Sequence, residues 1–254
     1  GNVAVGYDAN RSLTTGYNNV SVGVNAAYAM TTGLYNVALG ANALYANTTA
    51  SYNSAFGYLA LSANTTGANN VAVGGLSLDA NTTGDQNVAV GTSALGALTA
   101  GDKNVAIGNS TLSQFNVTDG SETFNTAVGY AAGGAVTTGI QNTLIGGLAG
   151  DALTDADKNV AVGRSALTSD TLGSMSTAIG YSALDSQNFT SATNSRNTAV
   201  GHTAGLSSTT AVDNTLIGEQ AGYYITTGSQ NTILGRFSGN QGGLDIRTSS
   251  NNIV

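Results

Sequence analysis

Asn70-Val71-Ala72-Val73-Gly74 is the stretch that decides the fold, because it returns along the whole chain. The pattern is an Asn (Ser at 176 alone), a variable residue, a mainly small residue, an aliphatic residue or Phe, and a Gly. It begins at residues 2, 19, 36, 53, 70, 87, 104, 125, 142, 159, 176, 197, 214 and 231, and a further copy opens at Asn252. The steps are 17 residues except for three of 21 (104 to 125, 176 to 197, 231 to 252). Self-similarity at a fixed short period is the mark of a solenoid, in which each repeat buries its apolar face on its neighbours.

Composition agrees. Among 254 residues, 41% are hydrophobic and 8% charged, with 35 glycines, no proline and no cysteine. Disorder needs low hydrophobicity with high net charge, and neither holds. The absence of proline suits a ladder that uses every backbone N–H. Without cysteine, stability has to come from stacking. The net charge of −7 is thinly spread, with no basic stripe, which argues against a nucleic-acid partner. No apolar run is long enough for membrane insertion by a helix.

Positions are counted below from the motif Asn. A typical coil is Asn36-Val37-Ala38-Leu39-Gly40, then Ala43-Leu44-Tyr45-Ala46, then Asn47-Thr48-Thr49 and a short turn. The motif reads as a strand, the A-L-x-A part as a second strand, and T-T-G as the closing turn. The Asn column (Asn36, Asn70, Asn87, Asn142) suits left-handed backbone and side-chain amide ladders. The Gly column (Gly40, Gly74, Gly91, Gly146) suggests positive φ or a backbone too close for a Cβ. Positions 3 and 4 are both apolar yet point to opposite faces, so the outer face also calls for a cover. Which of the two faces inward is left open. The expectation is an all-β parallel β-solenoid or β-roll with one 17-residue repeat per coil. Residues 1–254 then form a single repeat domain, a segment of a longer fibre.

The columns Asn-x-Ala-Val-Gly, followed by A-L and a Gly turn, resemble the YadA-like head repeats of trimeric autotransporter adhesins. Similar repeats form the shafts of phage tail fibres. The resemblance implies a left-handed coil, a side-by-side homotrimer and attachment to a host-surface glycan or protein receptor. It implies an extracellular place on a bacterial cell surface or virion. The 17-residue coil is longer than is usual in those heads.

Candidate sites are few, and no cofactor is expected. His202 is the single histidine and stands in a variable column with Tyr7, Tyr130, Arg164 and Glu219, which gives no catalytic triad and no reason to expect an enzyme. Lys103 and Lys158 follow no phosphate-binding loop. Asp85, Asp102 and Asp119 share position 16 of three consecutive coils and are candidate cation ligands. Asn47, Asn64 and Asn81 each open an N-T-T glycosylation match. Tyr28, Tyr45 and Tyr223 share position 10, where aromatics could stack on sugars or pack at a chain–chain contact. The 21-residue coils add material at residues 116–124, 188–196 and 240–251, expected as lateral loops. Within them Phe124, Phe189, Arg196 and Arg247 are the candidate recognition residues. Two other functions compete with attachment: a purely structural extracellular filament, and an ice-binding solenoid built on Thr columns.

Overall fold

The computed structural model describes residues 1–241 and 244–254. It divides into two compact units, residues 1–125 and 126–254. Regular structure among the described residues is all strand, with no helix.

The first unit carries β1 (Val3–Val5), β2 (Val20–Val22), β3 (Val37–Leu39), β4 (Ser54–Phe56), β5 (Val71–Val73), β6 (Val88–Val90) and β7 (Val105–Ile107). Each pairs in parallel with the next, in a register set by the repeat: Val71 lies beside Val88, Ala72 beside Ala89, Val73 beside Val90. The second unit continues with β8 (Thr126–Val128), β9 (Thr143–Ile145), β10 (Val160–Val162), β11 (Gly173–Ser174), β12 (Thr177–Ile179), β13 (Thr193–Asn194), β14 (Thr198–Val200), β15 (Thr215–Ile217), β16 (Thr232–Leu234), β17 (Asn240–Gln241) and β18 (Leu244–Asp245). Here β8, β9, β10, β12, β14, β15 and β16 stack in parallel. β11 and β13 form a small parallel pair beside them, and β17 and β18 an antiparallel one. The expected parallel β-solenoid is therefore present, about fourteen coils of mainly 17 residues.

Burial decides the question of faces. From β3 to β7 the middle residue points inward: Ala38, Ala55, Ala72, Ala89 and Ala106 are fully buried. Position 4 therefore points outward. Ala at position 3 faces a coil interior shared with Leu at position 9, such as Leu44, Leu61, Leu78 and Leu95. Where position 3 enlarges to Leu144 or Leu216, position 9 shrinks to Gly150 or Gly222. A Cβ on either glycine would sit 2.8 Å from the leucine's Cδ2. Large and small residues exchange places so that the interior volume stays filled.

The expected second strand is absent, and residues 41–46 form successive turns. Asn42 and Leu44 are left-handed, with φ of 56° and 51°. Their N–H groups still bond across coils, Asn42 to the Val24 carbonyl at 2.9 Å and Leu44 to the Ala60 carbonyl at 3.0 Å. Between them Ala43 donates back to Gly40 at 3.3 Å. The chain thus turns tightly while still satisfying its donors sideways. That inter-coil bonding offsets left-handed backbone costing roughly 1–2 kcal/mol per residue.

The Asn column does not itself adopt the left-handed conformation. That falls on the preceding residue, such as Tyr35, Asn69 or Gln86. The asparagines are buried, and their ladder runs mainly through backbone. Asn70 Oδ1 accepts the Asn87 N–H at 2.9 Å, and Asn70 Nδ2 donates to the Gly84 carbonyl at 2.8 Å. Asn36, Asn87 and Asn142 make the same two bonds. Each amide closes its own coil and receives the next one.

The Gly column meets both of its expected reasons. Gly74 has φ of +131°, and a Cβ there would lie 2.7 Å from the Gly91 carbonyl carbon and oxygen. A side chain is excluded by conformation and by the neighbouring backbone together.

Candidate functional site

The position-16 carboxylates serve the backbone. Asp85 accepts the Ala68 N–H at 2.6 Å, and Asp102 accepts the Asp85 N–H at 2.7 Å. Ser51, Asp157 and Ser229 do the same for Leu34, Ile140 and Val212. Side-chain oxygens here stand in for the carbonyl that a continuing strand would offer. Asp119 departs from the expected ladder. Glu122 takes the place beside Asp102 and pairs with Lys103, because the extra residues of this coil carry Asp119 outward. Asp119 instead accepts the Ser121 N–H at 3.1 Å, and its hydrogen bonding to Ser121 holds its pKa below the ordinary value. Burial raises the pKa of Asp102, against the opposing pull of the Asp85 N–H that it accepts and of the Lys103 charge. Among the described residues no three His, Cys, Asp or Glu side chains converge as a metal site.

Both complete inserts are anchored by a buried hydroxyl. Residues 118–122 are exposed, and the chain re-enters at Thr123. The Thr123 hydroxyl bonds to the Asp102 carbonyl at 2.9 Å and to Asn104 Oδ1 at 2.8 Å. In the second insert Ser195 bonds to the Ser174 carbonyl at 2.8 Å and to the Ser176 hydroxyl at 2.6 Å. The inserts therefore grip their own chain.

Their candidate recognition residues divide. Phe124 is 47% exposed and lies beneath Lys103, whose Nζ is 5.3 Å from the ring centroid. Phe189 is buried at 6% exposure, which corrects its reading as a surface contact. It docks inward because its N–H bonds to the buried Asp170 carboxylate at 3.0 Å. Arg196 is exposed but bonded to Asp213 at 2.6 and 3.2 Å, which lowers the Asp213 pKa. Arg247 is likewise bonded to Asp245 through Nη2 at 2.6 Å. Phe124 and Arg196 hold the same left-handed place before the motif Asn as Lys103. In the third insert, Gly242 and Gly243 lie outside the described residues.

The glycosylation matches are closed off. Asn47, Asn64 and Asn81 are fully buried, with Asn64 Nδ2 bonded to Asn47 Oδ1 at 3.1 Å and Asn81 Nδ2 to Asn64 Oδ1 at 2.9 Å. None of these three acceptor nitrogens is reachable in the folded chain. His202 is exposed and stacks on Tyr181 at 5.4 Å.

The tyrosines also divide. Tyr28 and Tyr45 stack face to face, with centroids 5.1 Å apart and planes 12° apart, and Tyr35 and Tyr52 at 5.0 Å and 13°. Those facing surfaces are spent on each other. Tyr223 meets Tyr224 edge to face at 4.8 Å and 75°. With Gln220, Arg236 and Ser238 they line a cleft of about 400 Å³.

No family model, curated protein or solved structure matches the chain. Function has to be argued from geometry and from the motif columns.

Sequence reasoning missed most of that cleft. It singled out Tyr223 but passed over Gln220, Tyr224, Arg236 and Ser238. The available signal was the adjacent Tyr pair followed by an Arg at position 6 of the next coil. The other surface feature is the outward position-4 column. Val22, Phe56, Val73 and Ile107 in the first unit, and Ile145, Ile179 and Ile217 in the second, are each 36–39% exposed. No charged residue stands in that column.

Proposed function

We propose that the chain is a non-enzymatic segment of an extracellular surface fibre, whose copies lie side by side as a homotrimer and attach a cell or virion to a host surface. The observation that carries this reading is the half-exposed aliphatic stripe at position 4. A solenoid interior filled by Ala and Leu leaves this second apolar column to be covered from outside, and a second and third copy offer the same column in matching spacing. The motif columns support the adhesin-head and tail-fibre likeness, and with it a left-handed coil. The receptor is then a glycan or protein of the host surface.

Light scattering on the purified chain tests the assembly. The expected mass is three times 25.1 kDa at micromolar concentration, and a stable monomer overturns the reading. Val73→Asp with Val90→Asp places two charges on the outer column without touching the Ala-lined interior. The expected result is a folded monomer, because each carboxylate buried at an interface without a partner costs several kcal/mol. Adhesion of the trimer to host-surface preparations tests the attachment itself.

A further inference from the structure

The cleft in the second unit is built from two consecutive coils. Gln220, Tyr223 and Tyr224 come from the coil opening at Asn214, and Arg236 and Ser238 from the coil opening at Asn231. Backbone bonds join its walls: Tyr224 N–H donates to the Ser238 carbonyl and Gly222 N–H to the Phe237 carbonyl, both at 2.7 Å. We infer that this cleft is a binding subsite for a neutral pyranose sugar. The inference deepens the attachment reading by naming one ligand class, and it rests on that reading only for the sugar's source.

Three properties point to a sugar. The first is ring geometry. An edge-to-face pair forms a corner and leaves ring face open, whereas the parallel stacks Tyr28–Tyr45 and Tyr35–Tyr52 bury the faces between them. The C–H face of a pyranose packs on such a surface, as other apolar groups do. The second is the polar pair. Arg236 donates through Nε and Nη2 to Gln220 Oε1, at 3.2 and 2.9 Å. That contact holds both planar groups in one orientation and leaves Gln220 Nε2 and Arg236 Nη1 as donors for hydroxyls. The third is charge and size. Glu219 Oε2 lies 4.0 Å from Arg236 Nε, so the guanidinium is offset and an acidic ligand gains little. A volume of about 400 Å³ falls at the low end for small-molecule sites and suits one or two rings.

A second cleft of about 440 Å³, lined by Asn42, Tyr45, Ala46, Leu59, Ser62 and Ala63, makes a useful contrast. It has no charged group, and one face of its single aromatic ring is stacked on Tyr28.

The test is saturation-transfer NMR on the full chain with maltotriose, cellotriose, chitotriose and the acidic 3′-sialyllactose. At least one neutral trisaccharide is expected to receive saturation on its ring C–H protons. Tyr224→Ala and Arg236→Met should each weaken that binding at least tenfold, while Tyr45→Ala leaves it unchanged. Arg236 is exposed, so its variant keeps the test valid if Tyr224→Ala fails to fold. Transfer to no neutral sugar, stronger binding of the acidic probe, or undiminished binding by Arg236→Met overturns the assignment. The two readings fail separately. Adhesion and trimer formation surviving without sugar binding removes only the subsite, and sugar binding in a non-adhering monomer removes only the fibre reading.

Discussion

Position 12 lies inside the coil in both units, and the two units fill it by different logic. In the first, Asn47, Asn64 and Asn81 stand between Met30 and Leu98, all fully buried. Each Nδ2 donates to a carbonyl three residues on, Ala50, Gly67 or Gly84, and the last Oδ1, on Asn81, has no partner. Those carbonyls already accept Asn36, Asn53 and Asn70. The ladder is therefore self-contained and nothing else depends on it. In the second unit, buried Asp170 accepts the Gly173 N–H at 3.1 Å, the Phe189 N–H at 3.0 Å and Gln187 Nε2 at 2.6 Å. Gln187 reaches Asn197 at 2.8 Å and Ser176 at 3.0 Å. This network ties a motif that lacks its Asn to the insert that follows it. A repeated polar residue can be ornamental to stability, whereas a mixed network at an irregular coil is structural.

The largest expected effect removes what the two regions share. Gly74→Ala and Gly163→Ala meet the same backbone, with φ of +131° and +133°. Each should lower stability by about 4 kcal/mol, from strain plus the displaced neighbouring carbonyl. Chemical denaturation reads this, and a much smaller loss in either unit breaks the equivalence of the coils. Next comes Asp170→Leu, which strands two backbone donors and one amide. A loss of about 3 kcal/mol is expected, with Asp170→Asn losing less because one acceptor oxygen remains.

Replacing Asn47, Asn64 and Asn81 together by Leu should act in the opposite sense. It extends the apolar column from Met30 to Leu98, removes the unpartnered Asn81 oxygen and leaves the three carbonyls bonded. A gain of about 2 kcal/mol is expected. A net loss in thermal melting would contradict the contrast drawn between the ladders. The smallest effect concerns the half-exposed acidic ladder. Burial raises the pKa of Asp102, so folding favours its protonated form. Its ionised form is a penalty above the folded pKa, and the penalty vanishes below the unfolded one. Asp102→Asn keeps an acceptor for Asp85 and should raise Tm slightly at neutral pH, with the difference disappearing in acid.

The sequence by itself determined the period, the parallel register and the need for glycine at position 5. Those follow from repetition, since identical coils can satisfy their backbone only by stacking in phase. Tertiary structure alone decided that position 3 points inward. Alternation places positions 3 and 4 on opposite faces but does not say which face meets Leu44 and its counterparts. It decided that Ala43-Leu44-Tyr45-Ala46 turns instead of extending, because left-handed Asn42 and Leu44 are held by bonds from neighbouring coils. It drew Phe189 inward onto Asp170 and stacked Tyr28 on Tyr45. It assembled the cleft of Gln220, Tyr223, Tyr224, Arg236 and Ser238 from two coils. Each of these depends on what lies one coil away, a contact that a single repeat cannot encode.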